Sequence, residues 1–321
     1  MGNLLFLKHV ALTDFFIRRF SRVLPTFLVF VVVMLVYAAT IQPRRYGVGN
    51  SELLATLLFA RTYLPIGESI WADNWPIGHF WSLNVEEHSY IYLALGAMLL
   101  RTFRRQKLAT FFLLASCIAI VITIARYSIS PPAGSSPWFA RSECAALGLI
   151  AAALIRSCRD SSKWPAIKAG HALVPVLTTA AGGVCFLTSS DAAVLVVGPL
   201  LLAIAINYLD CAPKIIHTAL SWKPIRWLGM ASFSLYLWQQ PFYLAYTQFG
   251  FPRQLAGVFA LLVGAVSFYL IENPARCFIN ATYIAWRRPN SKRTSARTAI
   301  PVLTESTGEE IVAQVRATRR N

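Results

Sequence analysis

Apolar residues in this chain fall into long blocks, and the residues between the blocks are short, polar and basic. Eight blocks, roughly 24–42, 84–100, 108–125, 139–155, 172–188, 192–208, 227–247 and 254–272, are dominated by aliphatic and aromatic side chains. A helix rises about 1.5 Å per residue, so blocks of this length approach the roughly 30 Å hydrocarbon core of a bilayer. Inside that core every backbone polar group must find its partner within the segment, which makes each block a predicted helix. A ninth stretch, 52–66, is shorter and interrupted, and reads as a re-entrant or interfacial piece. The pattern predicts an all-α polytopic bundle of about eight spans plus that one segment. It contains no internal repeat, which gives no support to the inverted-repeat architecture of many transporters.

Composition agrees. The 321 residues are 56% apolar, 13% aromatic and only 14% charged, with a mean hydropathy of +0.53, whereas a soluble domain carries about a quarter charged residues. The net charge of +16 would suggest nucleic acid in a soluble protein, but here the charge is read by position. With the N-terminus inside, Arg18, Arg19 and Arg22, the cluster Arg101 to Lys107, Arg156 to Lys168, Lys214 to Arg226 and the basic tail all fall on the cytoplasmic side. That asymmetry predicts a multi-pass protein of the inner or plasma membrane, both termini cytoplasmic, with membrane lipid and no nucleic acid as partner. Three regions follow: a cytoplasmic segment 1–23, a transmembrane domain 24–285, and a disordered basic tail 286–321. The apolar stretch near Leu4 is interrupted by Lys8 and lacks a cleavage site, so the first span is expected to act as its own signal. Six scattered cysteines lack metal-ligand spacing and read as apolar packing residues, and no metal is expected.

Several polar clusters interrupt the pattern. In GHFWSLNVEEHSY (78–90), a helix beginning near Ser82 places Ser82, Glu86 and Tyr90 on one stripe at the mouth of a span. A carboxylate facing a bundle interior marks a functional site. The competing reading has Ser82 cap the helix while Glu86 or Glu87 complements its dipole, and it applies best to Glu87. Arg19 and Arg22, three residues apart before the first span, share a face suited to gripping an anion, although topology alone also places arginines there. In RWLGMASFSLYLWQQP (226–241), Ser232, Ser234, Tyr236, Trp238, Gln239 and Gln240 interrupt a span that Pro241 is expected to kink; they serve either a ligand or neighbouring helices. Glu272 precedes Asn273 and Pro274, where the last span is expected to stop, and reads as an ion-pair partner of Arg276 or Arg19. Arg141 and Glu143 open a span and call for polar partners.

Taken in order, these segments resemble the membrane acyltransferase-3 family, integral-membrane O-acyltransferases of bacterial glycans. RRFSRVLP (18–25) is similar to that family's Arg-Arg-x-x-Arg-[IV]-x-Pro, and HFWSLNVEEHSY (79–90) to its His-x-Trp-Ser-Leu-x-x-Glu-Glu-Gln-Phe-Tyr. ARSECAALGLIAA (140–152) resembles Arg-x-Asp-Ala-Leu-x-x-Gly-x-x-x-Ala, WLGMASFSLYLWQQP (227–241) the element ending Tyr-Leu-Trp-His-x-Pro, and IENPAR (271–276) the terminal Glu-[RK]-Pro. The resemblance spans about 10–278 and implies transfer of an acyl group, commonly acetyl, from acetyl-CoA or another acyl-CoA to a hydroxyl of an envelope glycan or lipid-linked sugar. By the same resemblance, Arg19 and Arg22 hold the coenzyme phosphates. Glu86 and His79 carry the transfer, with Trp81, Ser82, Arg141, Tyr236 and Trp238 around the substrate. The chain departs from the pattern at Gln239 for His, Glu143 for Asp, and His88–Ser89 for Gln-Phe. The two spans that usually precede the arginine element, with their histidine, are not in this sequence, and His9 does not take that role. An inactive shortened relative and a membrane transport or export component stand as the alternatives.

Overall fold

The computed structural model describes residues 11–41, 50–63, 77–103, 108–132, 137–159, 171–188 and 190–287, all helices, turns and short connections with no strand among them. In chain order the helices are α1 (Leu12–Ile41), α2 (Asn50–Leu57), α3 (Phe80–Thr102), α4 (Ala109–Ile129), α5 (Ser142–Ala145), α6 (Leu147–Arg159), α7 (Val174–Cys185), α8 (Gly198–Asn207), α9 (Lys214–Ser221), α10 (Lys223–Phe249), α11 (Arg253–Ser267) and α12 (Asn273–Arg287). The expected tail lies outside the described residues from 288 onward. The described residues up to 280 form one compact unit, which carries the site below.

Among the described residues, three stretches are long and apolar enough to cross a membrane: Leu12–Thr40, Ala109–Ile129 and Arg253–Arg287. Their outward faces are strongly apolar, with Phe111 69% and Ile122 61% exposed, a surface that only lipid or protein would cover. Two shorter apolar helices, Val174–Cys185 and Ala193–Asn207, cover predicted blocks. α3 and α10, of 23 and 27 residues, have spanning length but carry the polar stripes. The block 139–155 is broken into a turn at Trp138–Ala140, the one-turn α5 and α6. The segment 52–66 begins as the eight-residue α2, too short to span.

The helix does not stop at Glu272. A wide turn of π type at Phe268–Glu272 joins α11 to α12, and Pro274 sits in the first turn after it, where its absent N–H and its ring conflict least with the preceding carbonyls. Pro241 lies within α10 without ending it.

Lipid is as apolar as leucine, so contact quality, more than hydrophobicity, selects which helices meet. One cluster joins α1 to the start of α3 and to α10 through Phe27, Phe30, Met34, Phe80, Leu83 and Leu237. A second joins α3, α4, α6 and α8 through Leu93, Leu113, Leu147, Ile150 and Ala203. Small residues set the spacing. A Cβ on Gly264 would lie 3.0 Å from the Leu235 Cα, so α11 reaches the backbone of α10 only because position 264 has no side chain.

Candidate active site

α3 starts at Phe80, with His79 as its N-cap, two residues ahead of the expected start near Ser82. Ser82 therefore does not cap it, and neither glutamate falls in its first turn, so the dipole reading of Glu87 does not hold. α3 runs antiparallel to α1: Phe27 meets Phe80 at 5.2 Å between ring centroids, and Phe15 meets Tyr90 at 6.0 Å. That register brings Arg19 opposite Glu87. The acidic motif, which the inside-first topology puts at the outer mouth of the second span, and the arginine pair before the first span are in direct contact at one level.

Arg19 is locked. Its Nε donates to both Glu87 oxygens at 2.9 and 3.0 Å, and its Nη2 donates to Glu87 Oε1 at 2.7 Å. The same Nη2 lies 3.1 Å from Glu86 Oε1, and the guanidinium carbon sits 3.7 Å from the centre of the Tyr90 ring. Burial of a charged pair is tolerable only with such bidentate geometry and added hydrogen bonds. Glu86 is the outward partner: its side chain is 43% exposed against 7% for Glu87, and Tyr90 donates to it at 3.0 Å.

Three helices close a cavity of about 320 Å³ around this lock, with Arg19, Arg22, Ser82, Glu86, Ser232 and Tyr236 in its wall. Arg22, 41% exposed, donates to Ser232 Oγ at 3.3 Å, and its Nε lies 3.7 Å from Glu272 Oε1. Glu272 is thus an ion-pair partner as expected, but of Arg22. Ser234 donates to its other oxygen at 2.7 Å, and Arg276 turns to Asn273 instead. Tyr236 gives its single proton to the His79 carbonyl, so in the 2.8 Å contact with Ser82 the serine donates. The cavity therefore offers donors from Arg22 and acceptors from Glu86 and Ser82.

The remaining expected residues lie off this cavity. The buried His79 ring packs against Phe30 and Tyr236, with neither nitrogen hydrogen-bonded among the described residues. Burial, with the Arg61 guanidinium beside it, pushes the His79 pKa down to about 3, which makes a neutral imidazole and a weak base. Trp238, two residues after Tyr236 and so on the other side of α10, packs edge-on to Phe30 at 5.2 Å. Trp81 packs against the second core cluster, and Arg141 is the N-cap of α5. Ser232 and Glu87 belong to the site more directly than sequence reasoning placed them. The available signal was the doubled carboxylate itself, since two adjacent glutamates point about 100° apart on a helix and require two environments.

Residues 3–271 match the acyltransferase-3 family, described as an acyltransferase domain. The chain belongs to that family. Among curated relatives it is 25% identical over 340 residues to the peptidoglycan O-acetyltransferase OatA of Listeria monocytogenes, covering 92% of this chain and 53% of that protein. It is 23% identical to the O-acetyltransferase OatA of Staphylococcus aureus over 92% of this chain and 52% of that one. The chain thus spans about half the length of these relatives. No solved structure matches it.

Proposed function

We propose that this acyltransferase-3 chain is a membrane O-acyltransferase that moves an acyl group, acetyl in the first instance, from acyl-CoA to a hydroxyl of an envelope polysaccharide of the peptidoglycan class. Family membership and the names of its relatives support the reading. The observation that carries it is the cavity in which Arg22 and Glu86 face each other across α1, α3 and α10. Acyl transfer needs an acceptor for the attacking hydroxyl's proton and donors for the oxyanion that forms. Glu86 is the proton acceptor in reach, with Ser82 beside it able to accept a hydrogen bond from the incoming hydroxyl; Arg22 is the exposed donor. The same guanidinium suits a coenzyme phosphate, while Arg19, clamped by Glu87, shapes the wall and positions Glu86. In this reading the bundle crosses the plasma membrane about eight times with both termini cytoplasmic.

The test is transfer of labelled acetyl from acetyl-CoA to polysaccharide in membrane vesicles holding the full chain. Arg22→Ala is expected to raise the KM for acetyl-CoA at least about tenfold, and Glu86→Gln to lower kcat by about 100-fold or more. Native rates in both variants would overturn the assignment.

A further inference from the structure

α3 has a second working face. About 100° per residue turns His88 and Tyr92 roughly 80–160° away from Ser82 and Glu86, while Ser89, two turns beyond Ser82, comes back near that stripe one level further along the helix. Beside His88, Ser89 and Tyr92 lies a separate cavity of about 390 Å³, walled also by Tyr63, Ser142 and Glu143. Its volume is within the roughly 300–1,000 Å³ typical of small-molecule pockets.

The polar groups here come from three distant segments and are tied together. His88 Nδ1 and Ser142 Oγ are 2.8 Å apart. Tyr63 donates to Glu143 Oε2 at 2.7 Å and accepts from the Ser142 N–H at 3.2 Å. Burial, with Glu143 beside it, pushes the Tyr63 phenol up to about 12, so that its proton stays in place as the donor to Glu143. Ser89 and Ser116 give their protons to the carbonyls of Val85 and Phe112. What remains toward the cavity is the second Glu143 oxygen and hydroxyl lone pairs as acceptors, with one polar hydrogen left by the His88–Ser142 pair, on Nε2 or on Oγ according to the imidazole tautomer. The Tyr63 and Tyr92 rings supply flat apolar walls, and Ala119, Ile120 and Ile150 complete the far side.

Position 89 explains why there is space. The motif this segment resembles has a phenylalanine there, and a phenyl ring on this 3% exposed position would project into the cavity that Ser89 leaves open.

We infer that this cavity is a saccharide-binding subsite of the acceptor, distinct from the transfer cavity that Ser82 and Glu86 line one to two turns earlier on α3. A ligand matching it must present several O–H or N–H donors and an apolar face to the tyrosines, and a pyranose ring does both. The acceptor assignment rests on the transfer reading above; the binding of a sugar does not.

The full chain, purified in detergent micelles, is titrated with N-acetylglucosamine and followed by saturation-transfer difference NMR. Saturable binding is expected, weakened at least about tenfold by Ser89→Phe, which fills the space, and by Glu143→Gln, which removes the carboxylate acceptor. His88→Gln serves if Ser89→Phe fails to fold, since it keeps the helix and a hydrogen-bonding side chain while losing the imidazole. No saturable binding by the native chain, or equal binding by the folded variants, overturns the inference. In the vesicle assay, Ser89→Phe is expected to raise the KM for glycan and leave that for acetyl-CoA unchanged. Sugar binding without any transfer would sink the activity and leave the subsite standing; transfer whose glycan KM ignores Ser89→Phe would do the reverse.

Discussion

Glu86 and Glu87 are adjacent in sequence and opposite in role because one residue of helix rotates a side chain by about 100°. Glu87, 7% exposed, takes the three Arg19 hydrogen bonds, and Glu86, 43% exposed, faces the cavity. Removing one member of a buried, hydrogen-bonded pair leaves an uncompensated charge, at about 3–5 kcal/mol, whereas replacing both with apolar residues of similar volume is often neutral. Glu87→Ala is therefore expected to lower unfolding stability in detergent by about 3–5 kcal/mol. The double variant Arg19→Met with Glu87→Leu should recover most of that loss, while Glu86→Gln should change stability by no more than about 0.5 kcal/mol. Equal losses for Glu86→Gln and Glu87→Ala, measured by thermal or denaturant unfolding, would show that the lock is not the stabilising element.

At the scale of elements, the site depends on how closely α10 and α11 approach, because α10 carries Ser234 and the wide turn after α11 carries Glu272, its acceptor at 2.7 Å. Gly264 sets that approach. A methyl group there would meet the Leu235 backbone at 3.0 Å, a neighbour that cannot rotate away as a side chain can. Gly264→Ala is expected to push the helices apart, lowering the unfolding temperature and weakening the hold of Glu272 on Arg22, whereas Gly257→Ala, with nothing within 4 Å of the added carbon, should be neutral or slightly stabilising. Comparing the two melting curves checks the point. Much of this architecture was legible beforehand. The apolar blocks mark helices, and the spacing of Ser82, Glu86 and Tyr90 marks a stripe, because both follow from local periodicity. The pairing of Arg19 with Glu87, 68 residues away, was not legible, nor was the choice of Arg22 over Arg19 or Arg276 for Glu272. Those contacts depend on register between helices, which local pattern does not contain. The start of α3 was misplaced for a related reason: Phe80 is held by Phe27 and Phe30 of α1, not by a capping side chain of its own.

At the scale of the molecule, contacts within the 1–280 unit identify which helix ends lie together. Arg159, at the end of α6, makes a double hydrogen bond to Asp210 at 3.1 and 2.9 Å just after α8, so the C-terminal ends of these helices lie together. α7 and α8 pack antiparallel, with Gly182 against Leu202 and Gly198 against Phe186, which puts the C-terminus of α7 at the other end. Basic residues collect at the first end, in Arg156, Arg159 and Lys214. By the positive-inside rule, this basic end is predicted to face the cytoplasm. Three partly exposed cysteines report on this directly, with Cys158 and Cys211 at the basic end and Cys185 at the opposite one. In intact cells bearing single-cysteine variants, a membrane-impermeant maleimide is expected to label Cys185 alone, and to reach Cys158 and Cys211 only after permeabilisation. Labelling of Cys158 from outside would invert the molecule and place the Arg156–Arg159 end in the extracytoplasmic space. Labelling of all three from outside would mean that the connections between these helices do not cross the bilayer, and the positive-inside argument would lose its footing.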